Sequence, residues 1–305
     1  MYYFNFLIFK FTRYIYNKLS IFESFKKSRL SDKFHLLWIL NLGSNHPDRF
    51  KRFYDKNKNQ INFNNVNWKI DRNVKNVYLF LGDSHSELYG TNFTSNYRKD
   101  SIFLTIWLGP ILLIKFLKSS LLTKRSLFFI NNIIKFFGHD KKYHIVLSFG
   151  EIDIRTYFFR KTILNKSSNT IDELLKKYHL LLNKKVNEIK NNIKKKDDVY
   201  FFFKEPPPTT VKNGVEPKNR DDMTKIYEEE GYPVLGDFKN RVNWHKKFIE
   251  KVLIDSNIIK KLKNSNECYD KNRGLRNDIS DGFHINSQKI INDFQNNLMD
   301  LEKIK

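Results

Sequence analysis

The sequence predicts an α/β fold of three layers, α/β/α, in which a parallel five-stranded sheet is covered by helices on both faces. Apolar runs of five or six residues, too short for capped helices, occur at 77–81, 102–107, 144–149 and 199–203. Longer segments with helical apolar spacing separate these runs, and strands that alternate with helices favour a parallel sheet. In such sheets ligands bind outside the carboxyl ends of the strands.

The predicted helices fill the intervals between the strands. The clearest is a long amphipathic helix that follows the capping-box pattern Thr170-Ile-Asp-Glu173 and keeps its apolar period to Ile193. We predict a short fifth strand over 267–270. The segment 209–236 contains three glycines and two prolines and is predicted to be a long loop, of the kind that often binds ligands. Further helices are predicted over 111–122, 127–137, 238–253 and 287–301.

The 305 residues are predicted to form one main domain, residues 76–305, preceded by a partly helical lead-in, residues 1–75. Residues 1–20 mix aromatic side chains with Lys10, Arg13 and Lys18. A helix of this composition suits an anionic membrane surface, and it equally suits packing on the domain. Both interpretations stay open, and peripheral membrane contact through residues 1–20 is one of them.

The net charge is +22, from 55 Lys and Arg against 33 Asp and Glu. Such an excess is typical of proteins that bind nucleic acid or anionic membranes. Here the basic residues are spread along the chain, and Lys, Asn, Ile, Phe and Tyr, which share AT-rich codons, are all abundant together. We therefore attribute the charge to compositional bias and expect no nucleic-acid partner, with a basic binding protein as the alternative.

The cysteine and glycine content of the sequence argues against disulfide-bonded, metal-binding and phosphate-binding classes of protein. Cys268 is the single cysteine, so no disulfide within the chain is expected, and a cytoplasmic location, with membrane contact only at the periphery, is predicted. No cluster of His or Cys has metal-ligand spacing, and no glycine-rich phosphate-binding loop occurs. We predict neither a metal nor a cofactor, and the sequence leaves the oligomeric state open.

The first predicted strand ends at Gly82-Asp83-Ser84. A serine at a strand-to-helix turn presents its hydroxyl beside free backbone N–H groups. The same three residues also suit an ordinary turn that ends in a helix cap. Ser84 is therefore a candidate nucleophile that requires a base and an orienting group.

Two pairs in the sequence have the spacing of a carboxylate that orients an imidazole. Asp281 and His284 are three residues apart, so both side chains can lie on one face of a turn. Asp32 and His35 have the same spacing. Position separates the pairs, because Asp281 and His284 follow the last predicted strand, whereas Asp32 and His35 precede the first.

These motifs together resemble the SGNH, or GDSL-like, hydrolase superfamily, over about residues 77–300. Gly82-Asp83-Ser84 resembles its first block and implies Ser84 as the nucleophile. Gly109, after the second strand, resembles the second-block glycine, which with Ser84 would form the oxyanion hole. Asp281-Gly-Phe-His284 resembles the last block and implies His284 as base with Asp281 as its partner. The implied fold is the flavodoxin-like SGNH hydrolase fold.

The third block departs from the family pattern. Gly150-Glu-Ile-Asp153 lies where the family has Gly-x-Asn-Asp, so Ile152 replaces an oxyanion-hole donor. We predict that Glu151, Asp153 and Arg155, like Asp83, lie near the site and make structural hydrogen bonds; Arg155 is one candidate to replace the missing donor. His85 is interpreted as an ordinary first-turn residue. The pairing of Gly-Asp-Ser-His with Gly-Glu-Ile-Asp is similar to a microbial subgroup associated with surface-polysaccharide modification.

The predicted activity is that of a serine esterase or deacylase acting on an acylated carbohydrate or another small ester through an acyl-enzyme. An O-acyltransferase of the same fold is one alternative. A catalytically weak, glycan-binding SGNH-like protein is another, motivated by Ile152, and a basic nucleic-acid or membrane-surface binder is a third. The loop 209–236 is our candidate for the segment that selects the substrate.

Overall fold

The computed structural model describes residues 2–22, 24, 28–45, 72–86, 100–161, 171–194, 197–230, 233–280 and 287–303. It contains one parallel five-stranded sheet in the order β2-β1-β3-β4-β5. The predicted α/β fold class is thus confirmed, and the strand order is that of flavodoxin-like doubly wound sheets. The strands are β1 (Asn76–Gly82), β2 (Ser101–Trp107), β3 (Lys142–Ser148), β4 (Val199–Lys204) and β5 (Lys260–Leu262).

Helices lie on both faces of this sheet. Short 3₁₀ turns occur at Ser84–Ser86, Asn266–Cys268 and Asn277–Ile279, and a π-helix occupies Asp153–Tyr157. Within the described residues the longer helices are α1 (Tyr2–Leu19), α2 (Arg29–Leu42), α3 (Leu113–Lys118), α4 (Ser120–Phe137), α5 (Ile171–Asn192), α6 (Arg220–Glu230), α7 (Phe238–Lys251) and α8 (Gln288–Lys303).

The alternation of side chains along each strand divides the core into two clusters. In β1, Val77, Leu79 and Leu81 join the larger cluster, which packs under α3, α4, α5 and α7. Tyr78 and Phe80 point to the opposite face and join the smaller cluster under α8. All five side chains are fully buried, as expected for a central parallel strand covered on both faces.

Three predicted elements differ from the structure. The fifth strand is Lys260–Leu262, whereas the predicted strand over 267–270 is wrong, since Asn266–Cys268 forms a 3₁₀ turn. The two helices after β2 divide at Ser119, where the backbone is extended; the Ser119 hydroxyl caps α4 by accepting the N–H of Leu122. The predicted loop 209–236 contains α6, a polar helix that the loop's glycines and prolines obscured.

The lead-in packs against the edge strand β2. Trp38 of α2 donates from Nε1 to the Thr12 hydroxyl of α1 over 3.1 Å. After α2, Ser44 forms a parallel bridge with Thr105 of β2. Within the described ranges, no helix combines the length and the apolar character needed to cross a bilayer.

Candidate functional site

The register of the sheet places three sequence-predicted elements side by side. Gly82, at the end of β1, pairs with Trp107 of β2 on one side and with Ser148 of β3 on the other. Ser84, Gly109 and Gly150 each lie two residues beyond these paired positions. Since neighbouring strands are about 4.8 Å apart, the three residues line one short stretch of the carboxyl edge.

Gly82 allows a close approach between β1 and β3. A Cβ atom at this position would lie 2.0 Å from the carbonyl oxygen of Ser148. Just beyond it, the Asp83 N–H donates to that same oxygen over 3.2 Å, and the Leu108 N–H donates to the Gly82 carbonyl over 2.9 Å. These bonds fix the strand ends from which Ser84 and Gly109 emerge.

The Ser84 turn is closed by Asp83. The carboxylate oxygen Oδ1 of Asp83 accepts the His85 N–H over 2.9 Å. Its carbonyl accepts the Ser86 N–H over 3.1 Å and the Ser86 hydroxyl over 2.7 Å. Ser84 is half-buried, while Asp83, His85 and Ser86 around it are buried. The turn therefore holds Ser84 in a fixed position with its side chain partly open to solvent.

Asp83 itself is fully buried, and its second carboxyl oxygen, Oδ2, has no hydrogen-bond partner among the described residues. Burial raises its pKa well above the ordinary value, and the nearby charges of Glu151 and Asp153 raise it further. The hydrogen bond from the His85 N–H and the charge of Lys204 lower the pKa by smaller amounts. Burial thus disfavours the ionised form of the carboxyl that precedes Ser84 in the chain.

Gly109 has a backbone conformation and an N–H donor that suit an oxyanion hole. Its φ angle is +103°, in the left-handed region that glycine adopts without strain. Its N–H donates to no acceptor within the described part of the chain. A backbone donor beside the Ser84 turn is suited to stabilise negative charge on a reacting carbonyl oxygen.

A buried chain of polar and charged groups links the Ser84 turn to the segment after β3. The Nε2 atom of His85 lies 3.2 Å from Oε2 of Glu151. The other oxygen of Glu151 accepts from Nε of Arg155 over 2.8 Å. All three residues are buried, with exposures of 6%, 3% and 9%. His85 is therefore part of a connected polar network, which differs from its interpretation as an ordinary first-turn residue.

Asp153 caps the helix that follows Gly109. Its carboxylate accepts the N–H groups of Leu113 and Ile114, over 2.6 and 3.2 Å, and the Tyr178 hydroxyl. Burial raises its pKa to about 6, and these three hydrogen bonds oppose the shift. Asp153 thus joins β3, α3 and α5 behind the candidate site.

Ile152 is 2% exposed, so the third block offers an apolar side chain where the family pattern has an amide. Its carbonyl accepts the Thr156 hydroxyl over 2.9 Å, inside the turn that leads into the π-helix. Arg155 cannot use Nε as a replacement donor while that atom is bound to Glu151. Ser84 and Gly109 remain the two backbone donors that we expect to serve the oxyanion.

The sequence reading missed Lys204, a buried amine at the carboxyl end of β4. Its Nζ donates to the Glu205 carbonyl over 3.1 Å and lies 3.4 Å from Oδ1 of Asn264. Burial lowers its pKa to about 8, partly offset by the nearby groups of Cys268, Asp83 and Glu205. The signal in the sequence was a lysine that ends an otherwise apolar strand run.

The predicted base and its partner, His284 and Asp281, lie outside the described residues. The other pair of the same spacing is described and does not form an orienting contact. Asp32 accepts from Nε of Arg125 over 2.7 Å. His35 instead lies 3.1 Å from the Tyr16 hydroxyl and 3.3 Å from Nδ2 of Asn45.

The loop 209–236 is tied to α7 by Arg241, which is fully buried. Its guanidinium donates to the carbonyls of Leu235, Gly236, Thr210 and Lys212 and to the Thr209 hydroxyl. One buried side chain therefore holds both ends of the loop. Within the described ranges, no three His, Cys, Asp or Glu side chains form a metal-binding group.

Solved structures that are distantly similar to this chain include two that cover most of it. A solved structure from Streptococcus pneumonia, assigned provisionally as a platelet activating factor, is 13% identical with a TM-score of 0.41, covering 82% of this chain and 91% of that one. A GDSL-like lipase from Bacteroides thetaiotaomicron is also 13% identical, with a TM-score of 0.33, covering 84% and 98%. No family model and no curated protein matches. Since both TM-scores lie below 0.5, the fold assignment rests on strand order and register.

Proposed function

We propose that this protein is a serine esterase or deacylase of the SGNH type, which acts on an acylated carbohydrate or a similar small ester. The observation that carries the proposal is the register that sets Ser84 and Gly109 at the ends of adjacent strands. A nucleophile beside a backbone N–H donor is the minimum arrangement for acyl transfer.

In the proposed mechanism, His284, oriented by Asp281, takes the hydroxyl proton of Ser84 while the Ser84 oxygen attacks the ester carbonyl. The N–H groups of Ser84 and Gly109 hold the oxyanion of the tetrahedral intermediate. His284 then protonates the leaving alcohol, and an acyl-enzyme remains. Attack by water releases the acid, whereas attack by an acceptor hydroxyl would make the same site an O-acyltransferase.

The test is hydrolysis of p-nitrophenyl acetate by wild type, Ser84→Ala and His284→Ala. We expect each variant to lose on the order of 10³-fold or more in kcat, because removal of a triad member removes most of the chemical catalysis. Ser120→Ala and His139→Ala are matched controls, since both side chains are exposed and outside the site. Circular dichroism checks folding. Equal rates in wild type and the Ser84 variant would contradict the proposal.

The buried Ile152 favours a second candidate, a catalytically weak SGNH-like protein that binds glycans. Loss of one oxyanion donor lowers rates by roughly 100- to 1000-fold in enzymes that depend on it. A fluorophosphonate probe separates the two candidates, because labelling requires an activated serine and little else. Labelling of wild type but not of Ser84→Ala supports the esterase, while absence of labelling supports the binding protein.

A further inference from the structure

A cleft of about 490 Å³ opens at the carboxyl edge of the sheet, beyond β4 and β5. Its walls come from α7 and from the chain that follows β5. Ser84 lies at the same edge, beyond the end of β1. In the sheet, β4 is two strands away from β1, so the two strands are roughly 10 Å apart at ordinary strand spacing. The proposed esterase chemistry does not use any residue of this cleft.

Two buried residues of the cleft wall, His245 and Glu205, each carry a hydrogen-bond acceptor without a partner among the described residues. His245 is 5% exposed, and its Nε2 must donate to the Pro206 carbonyl, 3.0 Å away, so Nδ1 is the acceptor nitrogen. Glu205 is 6% exposed, and only its Oε2 accepts a bond, from the Asn264 N–H at 2.9 Å. Neither Nδ1 of His245 nor Oε1 of Glu205 has a partner among the described residues. Burial lowers the pKa of His245 to about 4, which keeps the ring neutral near pH 7.

The outer wall of the cleft carries two cations without carboxylate partners among the described residues, Lys263 and Arg273. The guanidinium carbon of Arg273 lies 4.2 Å from the centre of the Tyr269 ring, so the cation is held over the ring face. Lys246, also in the wall, lies 3.9 Å from Glu250 and is largely balanced by it.

The loop that carries Arg273 is closed by hydrogen bonds within it. Tyr269 and Leu275 form an antiparallel bridge across it. Between them, Oδ1 of Asp270 accepts the N–H groups of Asn272 and Gly274 over 2.9 and 2.7 Å. Arg273 has a φ of 67°, a left-handed conformation that this hydrogen-bonded loop imposes on a non-glycine residue. The cation is thus positioned before any ligand arrives.

We propose that this cleft binds a hydroxyl-bearing anion, a sugar acid or a sugar phosphate, with its hydroxyls on Glu205 and His245 and its charge on Arg273 and Lys263. The acceptors select hydroxyl donors, and Glu205 repels the negative group toward the two cations. The anionic sugar would be the alcohol part of the ester whose acyl group meets Ser84; this last step rests on the proposed function, whereas binding itself does not.

The test is calorimetric titration of the full chain with D-glucuronate, glucose 6-phosphate, glucose and inorganic phosphate. We expect at least one anionic sugar to bind at least about tenfold more tightly than glucose and than phosphate. Only an anionic sugar has both the hydroxyls that the two acceptors bind and the charge that the two cations bind. Tighter binding of glucuronate identifies a carboxylate ligand, and tighter binding of glucose 6-phosphate a phosphorylated one. No saturable binding, or equal affinity for glucose and the anionic sugars, would overturn the proposal.

Two variants, compared with a third as control, assign the contacts. Arg273→Asn keeps a residue that tolerates the left-handed backbone and should weaken anionic-sugar binding by about tenfold. Lys271→Asn removes an exposed charge from the same loop and should leave affinity unchanged. His245→Phe should weaken charged and neutral sugars alike, with folding checked by circular dichroism. Unchanged affinity in Arg273→Asn, or an equal loss in Lys271→Asn, would contradict the assignment.

The Ser84→Ala variant separates this proposal from the esterase function. It should bind the anionic sugar as wild type does while losing p-nitrophenyl acetate hydrolysis. Hydrolysis by wild type without sugar binding would refute the cleft and leave the esterase intact. Sugar binding without Ser84-dependent hydrolysis would retain the cleft and refute the esterase.

Discussion

Asp83 is the residue for which burial has the clearest consequence in solution. Its pKa is raised from 3.8, chiefly by burial, so the folded chain binds a proton that the unfolded chain releases above about pH 4. The contribution of this group to stability is therefore greatest below the unfolded pKa, and it falls as pH rises toward the raised folded pKa.

Asp83→Asn tests this linkage. The amide keeps an oxygen for the His85 N–H and replaces the oxygen that has no described partner. We expect the variant to gain stability relative to wild type as pH increases from 4 to 8, measured by urea unfolding at several pH values. Asp221→Asn, at an exposed position, is the control. A difference from wild type that does not change with pH would show that Asp83 ionises normally.

Glu151 is the link between the Ser84 turn and the segment after β3. Its removal leaves the buried Arg155 without this counter-ion, so Glu151→Ala should cost roughly 3–5 kcal/mol of unfolding free energy. The matched control is Glu250→Ala in the exposed pair with Lys246, which should cost less than about 1 kcal/mol. Chemical denaturation of both variants measures the contrast. Similar losses would mean that the buried network contributes no more than a surface pair.

At this scale the sequence revealed motifs but not contacts. The positions of Ser84, Gly109 and Gly150 just beyond strand ends could be predicted, because each residue follows an apolar strand run. The contact between His85 and Glu151 could not, since 66 residues separate them and neither residue type marks a partner. The burial of Lys204 could not be predicted either, because a lysine at a strand end usually extends its amine into solvent.

At the scale of elements, apolar runs located β1 to β4 because those strands are buried on both faces. The same criterion failed for β5. Its sequence is Lys-Lys-Leu, of which only Leu262 is buried, so it lacks the apolar signal of an interior strand. The strand predicted over 267–270 is wrong because the apolar Cys268 and the aromatic Tyr269 together have the composition of a short strand.

The spacing of β1 and β3 depends on the absence of a side chain at Gly82. Gly82→Ala would place Cβ 2.0 Å from a backbone oxygen that cannot rotate away, so the strands must separate at the candidate site. We expect a loss of at least about 2 kcal/mol in urea unfolding, together with lower esterase activity. Asn76→Ala, at the half-buried opposite end of β1, should cost much less. A fully stable Gly82→Ala variant would argue against the close β1–β3 approach.

At the scale of the whole molecule, the sheet follows from the sequence whereas the complete catalytic group does not. Because β1 and β2 are adjacent and parallel, the residues that follow them, Ser84 and Gly109, must lie at the same edge of the sheet. The positions of Asp281 and His284 relative to Ser84 depend on a segment outside the described residues. The role of these two residues therefore remains a prediction from motif order, to be settled by the His284 variant.

The lead-in helix α1 and the residues just after it expose large apolar side chains next to basic ones. One side of α1 packs on α2, while Phe11 and Tyr14 are 65% and 62% exposed on the other; Ile21 and Phe22, just beyond its end, are 76% and 63% exposed. Arg13 and Lys18 belong to the same segment, with Lys18 Nζ 5.7 Å from the Tyr14 ring centre. Apolar side chains bordered by basic ones suit the surface of an anionic membrane.

We therefore expect the protein to sediment with vesicles that contain phosphatidylserine and not with vesicles of phosphatidylcholine alone. Phe11→Ser combined with Tyr14→Ser should weaken this binding, because insertion of the two rings adds to an attraction that the net charge of +22 supplies. Leu180→Ser, at an equally exposed leucine on α5, is the control. Added salt should release all variants, since the charge attraction is screened. If the double variant binds as wild type does, the attraction is purely electrostatic and α1 has no special part in it.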